Sequence, residues 1–431
     1  MIRVFEGEAA FLAERGDQLL GAGDLGGEIR RRVESMVARV RAEGDRALVA
    51  FAKDLDGVEL AESEIRVSAE TIERGARETP ESVRAVLQNA AANIRRFHEW
   101  QKESSWSFEL EDGTLLGQKV TPLATVGVYV PGGHAVYPST VLMNVIPAQI
   151  AGVRRLVACT PPGTIEKAPA LAYALELLGV REVYRIGGAQ AVAAMAYGTA
   201  TVPRVDKIVG PGNAYVTTAK RLLYGTVGID SLAGPSEIVV LADDTADPAY
   251  VAADLLSQAE HGSGDESAIL VSTSKDLVKR VQEQIERQLS DLPRASAIRE
   301  VLEKHGAAVV VPDRAGAVSV VDKIAPEHLE IMMEDADAIA QRVGNAGAIF
   351  VGPSSPVPIG DFYAGPNHVL PTGGTARFAS PLGVYDFIKR SSLVRYSRER
   401  LRRDREDIEA FARTEGFEAH ARSVSVRFRQ S

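Results

Sequence analysis

Apolar positions along this chain follow two rhythms. Through residues 1–100, "IRRRVESMVARVRAEGDRALVAFAKDLDG" and "ESVRAVLQNAAANIRRFHEWQK" carry apolar side chains at three- and four-residue spacing, which predicts helices that bury one face. At "QKVTPLATVGVYVPGG" the pattern changes to a strand-like period that stops at a Pro-Gly-Gly turn. Beyond it, "RRLVACTPP", "REVYRIGG", "DKIVGPG", "SEIVVLADD", "SAILVSTS", "AAVVVPD" and "NAGAIFVG" are short, β-branched and almost wholly apolar. Helical stretches such as "YPSTVLMNVIPAQIAGV", "KAPALAYALELLG" and "AQAVAAMAYGT" separate several of them. Apolar strands alternating with helices predict parallel sheet covered on both faces. There are enough strands for two α/β units, and no polar linker divides them. The tail, "SRERLRRDREDIEAFARTEGFEAHARSVSVRFRQS", is charged and helical with no core of its own. It is expected to pack on another domain or on a partner subunit.

Composition narrows the class. The 431 residues, 45% apolar and 25% charged, suit a soluble globular protein of more than one unit. A net charge of −9 argues against electrostatic capture of nucleic acid or anionic membrane, both of which need basic surface. No apolar run reaches the length of a membrane span, and "MIRVFEGEAAFLAERG" has no signal-peptide core. The single cysteine, Cys159, allows neither an internal disulfide nor a zinc–cysteine cluster, so a reducing, cytoplasmic setting is expected.

The candidate chemistry centres on seven histidines. His98 and His305 lie in charged helical contexts and are expected on the surface, while His134, after a Pro-Gly-Gly turn, can go either way. Gln258 and His261 stand three apart where a helix opens into glycine; they share one helix face, either as a solvated helix end or as an amide and an imidazole aimed at one point. With Asp361 and His420 they form an N/O donor set suited to zinc or manganese. The alternative is that Asp361 caps a turn and His420 is tail surface. Glu327 and His328, in "IAPEHLEIM", offer a carboxylate beside an imidazole that can take a proton near neutral pH. By themselves they better suit an exposed helix start with Leu329 and Ile331 buried. The turns "GVYVPGG", "IGGAQAV" and "VGPGNAYV" follow strands and lead towards helices, a geometry that presents backbone N–H groups to a phosphate, although none matches a dinucleotide fingerprint or P-loop. Ser236 and Glu237 open a strand, and strand ends commonly carry substrate contacts. Cys159, inside "LVACT", is expected to be a buried structural thiol rather than a nucleophile.

Taken together, "GVYVPGGHAVYPSTVLMNVIPAQIAGV", "IGGAQAVAAMAYGT", "VGPGNAYV", "LAGPSEIVVLAD", "LLSQAEH", "IAPEHLEI" and "GDFYAGPNHVLPTGGTARFASPLGVYDFIKR" resemble the histidinol dehydrogenase family over nearly the whole chain. The resemblance implies two Rossmann-like units with parallel sheets, in an arrangement like that of aldehyde dehydrogenases, with a helical N-terminal segment and a helical C-terminal tail. The implied divisions are an N-terminal arm (1–25), a discontinuous first α/β domain (26–128 and 236–380), a second (129–235) and the tail (381–431), which reaches the partner's active site in a homodimer. It implies one zinc ion per subunit on Gln258, His261, Asp361 and His420, and an acid–base pair of Glu327 and His328. Substrate contacts would come from Ser236, Gln258, His261, His328, Asp361, His368, Glu415 and His420, and NAD contacts from Tyr129, Gln190 and Asn213. The implied reaction takes L-histidinol through L-histidinal to L-histidine. Two positions depart from the pattern: Gly262 follows the metal-ligand histidine where the family often has an acid, and Gly383 stands where serine is frequent. Two rivals stay open. One is a related dehydrogenase for another polar primary alcohol such as sulfopropanediol; the other is a zinc-dependent binding protein for a small amino compound.

Overall fold

The computed structural model describes residues 2–16, 27–132, 137–261 and 264–428, so His134 and Gly262 lie outside it. Contacts divide the chain into two units, residues 1–101 with 124–387 and residues 102–123 with 388–431. Strand β1 (Arg3–Glu6) belongs to the first unit, and β2 (Trp106–Glu109) and β3 (Leu115–Pro122) to the second. The first unit then adds β4 (Thr125–Tyr129), β5 (Arg155–Thr160), β6 (Glu182–Arg185), β7 (Lys207–Val209) and β8 (Gly228–Ile229). These five form a parallel sheet in the order β6-β5-β4-β7-β8. Strands β9 (Glu237–Ala242), β10 (Ser267–Ser272), β11 (Ala307–Val310), β12 (His328–Met332) and β13 (Ala348–Val351) follow, and with β1 they make a parallel sheet in the order β1-β11-β10-β9-β12-β13. The five strands β4–β8, and likewise β9–β13 once the edge strand β1 is set aside, place their first strand centrally, with the second and third to one side and the fourth and fifth to the other. Such an order creates a switch point, between β4 and β7 in one sheet and between β9 and β12 in the other.

Each sheet is buried as its apolar runs require. In the six-stranded sheet Ile238, Val240, Ala242 and Met332 face the helix Pro248–Ala259, where they pack with Val251 and Leu255. Val239, Leu241, Leu329 and Ile331 point the other way, onto Ala317, Val320 and Val321 of the helix Arg314–Ile324. Alternation along β12 thus puts His328 and Glu330 on the face towards Pro248–Ala259. The pair Glu327–His328 begins a strand, not the exposed helix that was the alternative; both residues are buried.

Three expected divisions change. Against a 26–128 boundary, the helices Gly27–Glu43, Asp45–Asp56, Ala69–Glu78 and Glu81–Glu99 pack on the five-stranded sheet and its helices, and Glu81–Glu99 also meets the 236–380 segment, where Asn93 Nδ2 donates to the Tyr363 carbonyl at 2.9 Å. Val33, Val40, Leu48 and Phe51 share a core with Tyr129, Val157, Val192 and Val216 of the five-stranded sheet and its helices. The N-terminal arm supplies an edge strand, β1, paired in parallel with β11. The tail is not wholly helical, because β14 (Ile388–Arg395) pairs antiparallel with β3 before the helices Arg398–Thr414 and Glu418–Ser425 begin. In this second unit β3 lies between β14 and β2, and Asp112 meets Arg403 at 3.2 Å. His98 is also not at the surface: it is fully buried, with Nδ1 2.8 Å from the Ile94 carbonyl. No described helix is long and apolar enough to cross a membrane.

A buried clamp fixes the turn after β7. Gly210 has φ +105°, and a Cβ there would stand 2.2 Å from the Tyr129 carbonyl, so only glycine lets the turn close on β4. Lys220 Nζ donates to the Gly210 carbonyl (2.6 Å) and to Asp230 Oδ1 (2.7 Å), and Asp230 Oδ2 accepts from the Gly210 N–H (2.7 Å). The two charged side chains are 4% and 3% exposed. Replacing Lys220 with Met should leave a buried, unpaired Asp230 and lower unfolding free energy by about 3–5 kcal/mol. Equilibrium denaturation measures this, and parent-like stability would contradict the clamp.

Candidate active site

Two cavities open where the sheets' loops gather. One, of about 760 Å³, is lined by Tyr129, Gly187, Gly188, Gln190 and Asn213 together with Pro161–Thr164 and the N-terminal helices. Its strand-derived residues lie at the carboxyl ends of β4, β6 and β7, where a parallel sheet of this order binds its ligand. Tyr129 is 4% exposed, its hydroxyl accepts from the Gly188 N–H (3.1 Å), and burial pushes its pKa up to about 12, so it stays a neutral phenol. Gln190 is 3% exposed and its Oε1 has no hydrogen-bond partner. Asn213 caps the helix Ala214–Leu223, accepting from the N–H groups of Tyr215 and Val216, which leaves its amide NH2 for the cavity. The three residues expected to meet NAD therefore share one wall.

The other cavity, about 590 Å³, is lined by Gln258, His261, Glu327, His328, Asp361 and His368, and also by Asn213, which faces both. Here β9 and β12 contribute their amino ends, the opposite of the usual carboxyl-end placement for a strand-end site.

The site is built around the backbone N–H and carbonyl of Glu237. Its N–H donates to Glu327 Oε2 at 2.9 Å, and its carbonyl lies 3.1 Å from His328 Nδ1. In the neutral ring Nδ1 therefore carries the proton and Nε2, buried without a hydrogen-bond partner, is the basic nitrogen. Glu327 Oε2 stands 3.6 Å from Nδ1, and Asp361 Oδ1 stands 3.6 Å from Nε2, an ion-pair contact too long for a hydrogen bond. Burial disfavours the imidazolium, but the Glu327 and Asp361 carboxylates outweigh it and raise the pKa of His328 to about 9. Burial raises that of Glu327, against the opposing pull of His328, the Glu237 N–H and the Ser236 hydroxyl. Ser236 thus meets the site through Glu327. Burial, then the Glu327 charge, lifts the Glu237 side chain to about 7, where it accepts from the Gly373 N–H at 2.8 Å.

Gln258 occupies the last turn of Pro248–Ala259 and is 2% exposed, with its Nε2 unpartnered. His261 lies just past the helix end rather than within it. Asp361 sits not in an open loop but on the short helix Val357–Phe362. Burial opposes its charge, yet His328, His368 and His261 around it hold its pKa below the ordinary value. His368 Nδ1 is 2.9 Å from the Asp361 carbonyl, and burial lowers its pKa. Glu415 closes the helix Arg398–Thr414, and His420, exposed on Glu418–Ser425, lies against the Phe417 ring at 5.1 Å; both belong to the second unit. Among the described residues no group of three or more His, Cys, Asp or Glu side chains stands ready as a metal cage. The donor set is nonetheless chemically suited to zinc: a carboxylate, an imidazole and the carbonyl oxygen of the buried Gln258 amide.

Cys159 is fully buried and its thiol pKa is pushed far up by burial, which removes it as a nucleophile. Lys220, Asp230, Tyr137 and Thr372 also line the cavity and are not singled out by sequence pattern. The Lys220–Asp230 pair had one legible trace, two opposite charges flanking apolar segments ten residues apart. At Gly383 a Cβ would meet the Tyr385 ring at 2.5 Å, so a serine there would require the ring to move.

The histidinol dehydrogenase family profile matches residues 24–428. A protein of Halalkalibacterium halodurans named histidinol dehydrogenase is 51% identical over 94% of this chain and 95% of its own length. One of the same name from Aquifex aeolicus is 50% identical over 97% of this chain and 95% of its own. The crystal structure of histidinol dehydrogenase from Elizabethkingia anophelis superposes with a TM-score of 0.92 at 36% identity, covering 99% of this chain and 98% of that one. With that coverage in both sequence and structure, the chain belongs to the histidinol dehydrogenase family.

Proposed function

We propose that this enzyme oxidises L-histidinol through L-histidinal to L-histidine, using two NAD+ and one water and releasing two NADH and three protons. The observation that carries the proposal is the fixed tautomer of His328. With Nδ1 donating to the Glu237 carbonyl and Nε2 unpartnered on the cavity wall, the ring is oriented as a base at one atom. In the first half, Nε2 takes the alcohol proton as hydride leaves the carbinol carbon for NAD+. Water then adds to the aldehyde. Glu327, held by the Glu237 N–H, takes a proton from that water while the His328 imidazolium returns its proton to the carbonyl oxygen, and the hydrate then loses the second hydride with His328 again as base.

Gln258, His261 and Asp361, joined by His420 of a partner subunit, would hold the zinc ion. Zinc there would orient the substrate's imidazole and amine and offset the Asp361 charge that favours the imidazolium form of His328. His368 would complete the substrate wall, Ser236 would act through its bond to Glu327, and Glu415 would come from the partner's tail. Tyr129, Gln190 and Asn213 would take the dinucleotide in the larger cavity, and Asn213, which faces both cavities, marks where its reactive end would enter. The enzyme is proposed to work in the cytoplasm as a homodimer.

Replacing Glu327 with Gln should slow oxidation of supplied histidinal by about 10²–10⁴-fold while sparing alcohol oxidation, because only hydration needs water activated. Comparing histidinol and histidinal in single turnovers separates the steps, and equal damage to both would count against the role. The shared site is checked with two inactive variants, His328→Ala and His420→Ala. A mixed dimer collects both lesions in one composite site and leaves the other whole, so subunit exchange should restore up to about half the activity per mixed dimer. No recovery after verified exchange would show that each chain completes its own site.

A further inference from the structure

Behind the catalytic wall lies a second pair of acids to which the proposed reaction gives no part. Glu330 is 1% exposed and Asp254 7% exposed. Glu330 stands two residues after His328 on β12, on the same face. Asp254 stands one turn before Gln258 on the helix Pro248–Ala259, also on the same face. The two carboxyl groups come close enough for each to bear on the other's protonation. The other oxygen of Glu330, Oε1, accepts from the backbone N–H of Val357 at 2.7 Å, the first residue of the short helix that carries Asp361. Glu330 Oε2 is buried with no donor reaching it.

Two ionised carboxylates cannot remain in contact out of water, and a buried oxygen without a donor is costly. One proton between the acids resolves both problems: Oε2 gains its partner and the pair carries one negative charge instead of two. Burial, then the Asp254 charge, pushes Glu330 well above the usual carboxylate range, and burial raises Asp254 as well. The proton-bridged pair touches three elements at once. These are the helix of Gln258 that leads to His261, the strand of His328, and the helix of Asp361.

We propose that Glu330 and Asp254 share one proton, and that this bridged pair is the positioning device that sets the metal-binding side chains against the catalytic base. Identification of the positioned side chains rests on the function proposed above; the shared proton does not. Neither acid reaches the cavity, so both act through the residues they place. A device of this kind requires a donor and an acceptor at each end rather than a charge. The amide of a Glu330→Gln variant can donate to Asp254 and still accept from Val357, whereas Glu330→Leu can do neither.

The test uses the full-length dimer and two readouts. Infrared difference spectra of parent and variants should show the carbonyl stretch of a protonated carboxylic acid at neutral pH in the parent, lost in Glu330→Gln and in Asp254→Asn. Zinc affinity, measured by chelator competition without substrate, should stay within about 3-fold of the parent in both amide variants. In Glu330→Leu it should fall by about 10–100-fold, the usual cost of losing support for a metal ligand. The KM for histidinol should then rise more than kcat falls. Absence of the protonated band in the parent would overturn the shared proton. Amide variants as weak in zinc binding as Glu330→Leu would overturn the neutral bridge, and a Leu variant with parent-like zinc affinity would overturn the positioning role. Should Glu330→Leu fail to fold, the spectra and zinc affinities of the two amide variants still decide. If the bridge is confirmed but histidinol is not oxidised, the proposed substrate fails and the structural inference stands.

Discussion

The site depends on the main chain of a single residue, Glu237. Glu237 opens β9, and its N–H and carbonyl are taken by Glu327 and His328 at the start of the neighbouring β12. Those contacts fix the orientation of the carboxylate and the tautomer of the imidazole together. Parallel pairing makes this possible: β9 and β12 run in register from Ile238 opposite His328 to Ala242 opposite Met332. A slip of one residue would turn His328 to the other face, among Leu329's neighbours on the helix Arg314–Ile324. Catalytic geometry is in this sense a consequence of strand register.

The two sheets bring opposite ends to adjoining cavities. The five-stranded sheet presents the carboxyl ends of β4, β6 and β7, whose turns expose backbone N–H groups and the side chains of Gln190 and Asn213. The six-stranded sheet presents the amino ends of β9 and β12, where buried acids and imidazoles cluster. This division suits the proposed chemistry: one side offers neutral donors and tight turns that a dinucleotide would use, the other charged groups that proton transfer and a metal would use. The Lys220–Asp230 clamp holds the turn after β7 on the wall of the second cavity, so the spacing between the two regions rests on a buried ion pair.

Much of this was legible in the sequence because it rested on period and punctuation. Apolar runs such as "SEIVVLADD" and "SAILVSTS" gave parallel strands, and the glycine turns after β4, β6 and β7 marked a ligand wall. What could not be read were associations. Nothing local tells the amphipathic helices of residues 27–99 which sheet they will cover, and they cover the five-stranded one. His98 stands in a charged helix but turns to its buried face, where the Ile94 carbonyl satisfies it. β14 is masked by the charged stretch that follows it, and its pairing with β3 spans most of the chain. Asp254 and Glu330 were each a lone acid in an apolar segment, and only folding sets them side by side.

The most direct measurement is the stoichiometry of NADH formed when the purified, zinc-loaded protein receives limiting L-histidinol and excess NAD+. The account predicts two NADH for each histidinol consumed, with L-histidine as the product. One NADH and accumulated aldehyde, or no NADH from histidinol while another polar primary alcohol is oxidised, would contradict it.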